Sequence, residues 1–118
     1  MMKIPKLNNT TSIGDFLSEW IKTCNLEQVK KGELFGFVKD GMKLLIANID
    51  GKIHATDLIC THADADLSTG FLSEEGVRCP LHLSVFNLVN GKPNNLPAET
   101  ALKVYPVKID NNEIFVEV

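Results

Sequence analysis

Residues 34–57, LFGFVKDGMKLLIANIDGKIHATD, decide the fold class of this chain. They contain three strand-like runs rich in Ile, Val, Phe and Leu, namely Leu34–Lys39, Met42–Ile49 and Lys52–Asp57. Asp40-Gly41 and Asp50-Gly51 separate the runs, and Asp-Gly is a strong hairpin signal because both turn residues must accept positive φ. The stretch therefore predicts a meander of three antiparallel strands.

Further strand-like runs occupy residues 85–89, 102–109 and 113–118. Turn residues follow the first and second of them, at Asn90-Gly91 and at residues 110–112. Pro106 lies inside the second run, and because proline cannot donate to a ladder it indicates an edge strand or a bulge there. Glu74-Glu75-Gly76 is interpreted as a turn. Together with the meander, these runs predict an all-β fold.

The amino-terminal region has the pattern of a helix instead. Ser12 and Asp15 have the spacing of a capping box, and residues 13–24 place apolar side chains on one helical face. That face comprises Ile13, Phe16, Leu17, Trp20, Ile21 and Cys24. We therefore expect an amino-terminal tail with one amphipathic helix over residues 1–26, and a second unit over residues 27–118. The helix is expected to pack on the domain; docking to a partner is the alternative.

Composition and charge exclude several classes of protein. The chain has 118 residues, is 44% hydrophobic and 23% charged, and carries a net charge of −3 without a basic block. This composition is typical of one globular domain and argues against nucleic acid or an anionic membrane surface as a partner. No apolar run reaches the roughly 20 residues of a membrane span. With no export signal in the sequence, a cytoplasmic location is expected, and the three cysteines are interpreted as ligands before disulfides.

Two short segments carry the chemistry. Cys60-Thr61-His62 and Cys79-Pro80-Leu81-His82 each place a thiolate and an imidazole on one loop. Two such loops facing each other would supply two soft sulfurs and two borderline nitrogens to one metal centre. The chain has only three cysteines and three histidines. Two Cys–His pairs in loops are therefore poorly explained by chance. Cys60, His62, Cys79 and His82 are therefore the predicted metal ligands.

These two boxes resemble those of Rieske [2Fe–2S] proteins, in particular the small ferredoxins that serve ring-hydroxylating oxygenases. The resemblance runs from about residue 34 to the carboxyl terminus and includes Leu67-x-x-Gly70 after the first box. It implies a Rieske-like antiparallel β-sandwich with a cluster-binding subdomain. It also implies one [2Fe–2S] cluster, with Cys60 and Cys79 on one iron and His62 and His82 on the other. The family's proline-bearing third loop would correspond to residues 92–97.

The chain departs from the high-potential members of that family. Ala65 and Leu81 stand where those proteins carry an additional pair of cysteines, joined as a disulfide. Ser84 matches a serine that donates a hydrogen bond to sulfur there, whereas Phe86 replaces a tyrosine donor. Leu83 replaces a common glycine. The resemblance therefore implies a reduction potential in the lower or middle part of the Rieske range.

The function implied is that of a soluble one-electron carrier, not an enzyme, between a reductase and an oxygenase or another acceptor. No residues are predicted to be catalytic, and a monomer is favoured. A general or respiratory carrier is equally compatible with the sequence. The alternative from another class is a structural zinc module that uses the same four ligands, although Cys-x-His spacing is unusual for zinc. Cys24 and His54 are expected to be structural, the first as a buried apolar residue and the second on a strand.

Overall fold

The computed structural model describes residues 19–81 and 83–118, and every pair of neighbouring strands within them is antiparallel. Two 3-10 turns, Leu26–Gln28 and Leu67–Thr69, are the helical elements within that part. The strands are β1 (Trp20–Asn25), β2 (Leu34–Lys39), β3 (Met42–Ile49), β4 (Lys52–Asp57), β5 (Phe71–Ser73), β6 (Gly76–Arg78), β7 (Val85–Phe86), β8 (Val104–Tyr105), β9 (Val107–Asp110) and β10 (Glu113–Glu117). The predicted all-β class is confirmed.

The predicted meander forms the central sheet, with strand order β2-β3-β4-β8. Its two hairpins turn at the predicted Asp-Gly pairs, where Asp40 has φ 51° and Gly41 φ 81°, and Asp50 has φ 53° and Gly51 φ 92°. Positive φ at both central residues gives a turn whose twist matches the flanking strands. The two predicted turns and the predicted meander are therefore confirmed.

The predicted amino-terminal helix is wrong for residues 20–24, which belong to β1. This strand pairs with β10 in a second sheet of order β1-β10-β9, with Trp20 opposite Glu117 and Cys24 opposite Ile114. A bulge between Lys22 and Cys24 shifts the register, and the Lys22 ammonium lies 2.8 Å from a Glu113 carboxylate oxygen. Pairing with the edge of β10 therefore overrides a helical apolar period. Ser12, Asp15 and the rest of the predicted helix lie outside the described residues.

A third sheet, β5-β6-β7, carries the region around the second Cys–His segment. The predicted turn at Glu74 and Glu75 connects β5 to β6. Strands β5 and β6 have three residues each, which is too short for an alternation of apolar and polar residues to be visible in the sequence.

Two predicted strand runs differ from the observed strands. The strand predicted over residues 85–89 is shorter, at Val85–Phe86, and the run 102–109 is divided at Pro106 into β8 and β9.

The central sheet is covered on both faces, which explains why Leu44 to Asn48 of β3 are all buried. Alternate residues of β3 point into two different cores. The outer core, between the central sheet and the β1-β10-β9 sheet, contains Cys24, Val29, Leu44, Ile46, Ile53, Ala55, Ile114 and Val116. The inner core, between the central sheet and the third sheet, contains Leu45, Ala47, Leu58, Cys60, Ala65, Leu67, Val77, Cys79, Phe86, Leu88, Ala98 and Leu102. The predicted sandwich with an attached subdomain is therefore confirmed.

Candidate metal centre

The first Cys–His segment is a closed loop at the end of the central sheet. The Cys60 amide donates to the carbonyl oxygen of Ala65 at 3.0 Å, and the Leu67 amide donates to that of Leu58 at 2.9 Å. Ile59 and Asp66 form an isolated antiparallel bridge between these contacts. Residues 61–64, including His62, therefore project as the tip of a loop whose base is fixed by backbone hydrogen bonds. We call residues 60–65 the first loop.

The second segment closes in the same way. The Cys79 amide donates to the carbonyl oxygen of Ser84 at 3.0 Å, again five residues further along the chain. The segment connects β6 to β7, and we call residues 79–84 the second loop. Each cysteine thus stands at the base of its loop, where the backbone is held by hydrogen bonds.

The predicted sulfur ligands and the predicted imidazole ligand of the first loop differ in their exposure to solvent. Cys60 is 4% exposed and Cys79 is 1% exposed, and both belong to the inner core. His62 is exposed at the tip of the first loop. The fourth predicted ligand, His82, lies outside the described residues. The structure therefore brings the two predicted sulfur ligands into one core and places one predicted imidazole ligand at the adjacent surface.

The residues present fit an iron–sulfur group in their chemistry. Two thiols shielded from water in an apolar core, beside an imidazole at the surface, are soft and borderline donors of the kind that iron–sulfur clusters take. Within residues 19–81 and 83–118, no group of three or more His, Cys, Asp or Glu side chains is arranged to hold a metal ion. The assignment of the four ligands therefore remains a prediction.

A third segment, residues 92–98, lies beside the second loop, and we call it the proline loop. Pro93 forms a bridge with Phe86, and the Asn94 amide donates to the Val85 carbonyl oxygen at 2.7 Å. The Thr61 hydroxyl meanwhile donates to the Thr100 carbonyl oxygen at 2.6 Å and holds the tip of the first loop. The resemblance indicated residues 92–97 of the proline loop, whereas nothing in the sequence pointed to the contact of Thr61 with Thr100.

Cys24 and His54 have the structural roles that were expected. Cys24 is 3% exposed in the outer core, where burial raises the pKa of its thiol. His54 is half-buried on β4, and burial followed by the nearby charge of Lys52 lowers the pKa of its imidazole. Neither residue belongs to the inner core that holds Cys60 and Cys79.

The fold and the paired loops define a class of protein: a β-sandwich with a small subdomain that presents two Cys–His loops. Comparison with protein families gives the particular family, because the model of the Rieske [2Fe-2S] domain matches residues 19–106. The chain belongs to this family.

Relatives with known roles narrow the class further. The chain is 34% identical over 99 residues to the ferredoxin component of the naphthalene 1,2-dioxygenase system of Pseudomonas putida. The aligned region covers 84% of this chain and 95% of that protein. Among solved structures, the Sphingomonas yanoikuyae B1 ferredoxin is 29% identical, with a TM-score of 0.80 over 85% of this chain and 99% of its own. A chain in the complex of reduced oxygenase and oxidized ferredoxin in carbazole 1,9a-dioxygenase is 30% identical, with a TM-score of 0.77 over 82% of this chain and 91% of its own.

The comparisons confirm the predicted class and cofactor. The protein is an electron carrier with one Rieske-type [2Fe–2S] cluster, and its relatives are electron-transfer components of multicomponent dioxygenase systems, not their catalytic subunits. No finding supports the zinc alternative. None of the helices in the described part of the chain has the length and apolar character needed to cross a bilayer.

Proposed function

We propose that this protein carries single electrons from a reductase to the oxygenase component of a ring-hydroxylating dioxygenase system. Cys60 and Cys79 hold one iron of the cluster, and His62 and His82 hold the other. The observation that carries the proposal is the equivalent closure of the two loops, which puts both cysteines into one core. The choice of partners is supported by the relatives, which include the ferredoxin component of a dioxygenase system and a ferredoxin in complex with its oxygenase.

The bound cluster supplies reversible one-electron chemistry, and two neutral imidazoles in place of two thiolates raise its potential above that of all-cysteine clusters. The chain's own contribution is to bury the sulfur side and expose the imidazole side. Cys60 and Cys79 lie among apolar side chains that exclude water, whereas His62 lies at the surface. This arrangement directs electron exchange through the histidine side, where a partner can approach.

Exposed apolar side chains lie on the second loop and on the neighbouring proline loop. Leu81 is 69% exposed, Leu83 is 65% exposed, and Leu96 on the proline loop is 68% exposed. Electron-transfer complexes bury small interfaces and must dissociate quickly. Three exposed leucines around the second loop supply such a contact without many charged groups to desolvate, so the proposal assigns them to the contact with the redox partners.

The proposal also includes a monomeric state and a cytoplasmic location. The location is supported by the three cysteines, which are buried in the two cores and form an odd number. A reducing compartment keeps such thiols available to iron.

The test combines metal analysis with reconstitution. The purified protein should contain two irons and two sulfides, absorb visible light, and show a paramagnetic signal after one-electron reduction. It should then support turnover when mixed with a dioxygenase reductase and its oxygenase. A colourless protein with stoichiometric zinc would contradict the proposal, and so would a cluster-loaded protein that accepts an electron but passes none to any ring-hydroxylating oxygenase.

A further inference from the structure

A buried hydroxyl joins the second loop to the proline loop. Ser84 is 0% exposed, and its Oγ accepts a hydrogen bond of 2.8 Å from the Ala98 amide. The same hydroxyl donates to the Asn95 carbonyl oxygen at 3.3 Å. A buried amide that lost its acceptor would keep its desolvation cost without compensation. The Ser84 side chain therefore stabilises the contact between the two loops.

The side chain of Asn95 makes a second connection between the same loops. Its Nδ2 donates to the Leu83 carbonyl oxygen at 2.8 Å, and its Oδ1 accepts from the Val85 amide at 2.8 Å. One carboxamide thus pairs with the backbone on either side of Ser84, as a neighbouring strand would do. The orientation of this amide is fixed by the two partners, since one needs a donor and the other an acceptor.

These contacts reach Cys79 through the backbone of Ser84. The Ser84 carbonyl oxygen is the acceptor that closes the second loop on the Cys79 amide. Its hydroxyl and both neighbouring peptide groups are held by residues of the proline loop. We propose that Ser84 and Asn95 act as one clamp, which keeps the second loop closed and thereby positions Cys79 for the cluster. This inference rests on the proposed function only for the role of Cys79 as a ligand.

The resemblance implied that Ser84 donates a hydrogen bond to sulfur. In the clamp, Ser84 instead has a different role. A hydroxyl carries one proton, and the acceptor that the proline loop offers to it is the Asn95 carbonyl oxygen at 3.3 Å. Ser84 and Asn95 are therefore positioning residues that act through the backbone. The two roles differ in what they predict for the reduction potential and for the variants of Asn95.

The test uses the cluster-loaded protein and the variants Ser84→Ala, Asn95→Ala and the double variant. Loss of visible absorbance is followed in excess iron chelator, at a temperature where all variants are folded. Ser84→Ala should lose the cluster roughly tenfold faster, a factor that corresponds to about 1.4 kcal/mol, because the Ala98 amide loses its acceptor. Asn95→Ala should lose it several-fold faster, and the two factors should not multiply in the double variant, since both side chains act as a unit.

Two matched controls separate positioning from general destabilisation. Asn94→Ala removes the neighbouring carboxamide, whose Nδ2 donates to the Glu75 carbonyl oxygen at 3.4 Å, and keeps the backbone hydrogen bond from residue 94 to Val85. Val116→Ala creates a cavity in the outer core, away from Cys79. Both should lose the cluster at close to the wild-type rate. Equal acceleration in Val116→Ala, or a wild-type rate in Asn95→Ala, would overturn the clamp.

Two further readouts distinguish this inference from its alternatives. If Ser84→Ala lowers the reduction potential and Asn95→Ala leaves it unchanged, the hydroxyl donates to the cluster and the clamp is wrong. Amide hydrogen exchange at Cys79 and Val85 should quicken in both variants, and wild-type exchange at Cys79 would also overturn the proposal. Exchange is measurable whatever metal the protein holds. A protein isolated with zinc would therefore refute the proposed function, and the exchange rates of the same variants would still test the clamp.

Discussion

Gly76 at the start of β6 packs directly against the backbone of Phe86 in β7: a Cβ at position 76 would lie 1.9 Å from the Phe86 carbonyl oxygen. The φ of Gly76 is 138°, a conformation that residues with a side chain rarely adopt. This contact brings β6, which leads into Cys79, against the strand that follows the second loop. The close approach of two backbones therefore sets the separation of the strands that carry this loop.

We expect Gly76→Ala to destabilise the protein by more than about 2 kcal/mol, because it adds backbone strain to a steric clash. Gly32→Ala is the matched control, since Gly32 also has positive φ, 83°, but no atom within 4 Å of a Cβ. That control should cost only about 1–2 kcal/mol. Denaturant unfolding of both variants measures the difference, and equal losses would show that the contact with Phe86 carries no penalty.

The ligand set predicts that His62→Ala and Cys79→Ala lose the assembled cluster. A missing ligand leaves an open iron position, and an incomplete site releases iron. Iron and sulfide analysis, with the paramagnetic spectrum of the reduced protein, measures the loss. His54→Ala is the matched histidine control and should keep both. If either ligand variant retained two irons and the wild-type spectrum, the assignment of that residue would be wrong.

Cys24→Ser should leave the iron content and spectrum unchanged and lower the free energy of unfolding by about 1 kcal/mol. The reason is that Cys24 lies in the outer core, where a hydroxyl is more costly to bury than a thiol. Denaturant titration with visible absorbance as a second signal checks both parts. Loss of the cluster from an otherwise folded variant would mean that Cys24 acts on the metal centre.

His54 should make the protein less stable in acid. Burial, followed by the charge of Lys52, lowers the pKa of its imidazole in the folded state below the ordinary value of 6.5. The unfolded chain therefore binds a proton more readily, so the contribution to stability is present above about pH 6.5 and is lost as the pH falls through the folded pKa.

The wild-type protein should accordingly lose more stability than His54→Gln between pH 7 and pH 5. Proton NMR of the imidazole gives the pKa directly, and Lys52→Gln should move it back towards 6.5, because it removes the second cause of the shift. A folded-state pKa at or above 6.5 would contradict this account.

The sequence predicted most accurately the features that depend on neighbouring residues. The bounds of β2, β3 and β4 agree with the predicted runs, because each Asp-Gly pair fixes a turn and each turn fixes a register. The two Cys–His loops were visible for the same reason, since their ligands are spaced by one or two residues. An edge strand or a bulge at Pro106 was also predicted from one residue, which cannot donate to a ladder, and the strands on either side of it, β8 and β9, lie at sheet edges.

The tertiary structure decided the features that depend on distant partners. Residues 20–25 have a helical apolar period, yet their backbone pairs with β10, more than 85 positions away, and the hydrogen bonds along that edge favour a strand. The role of Ser84 was likewise decided by Asn95 and Ala98, which the sequence does not mark as its partners. By itself, the sequence determined the turns, the central strands and the paired Cys–His motifs. Packing decided that β1 pairs with the edge of β10, and it decided that the buried Ser84 hydroxyl has the Asn95 carbonyl oxygen as its acceptor. Both contacts form only when segments that are distant in the sequence come together.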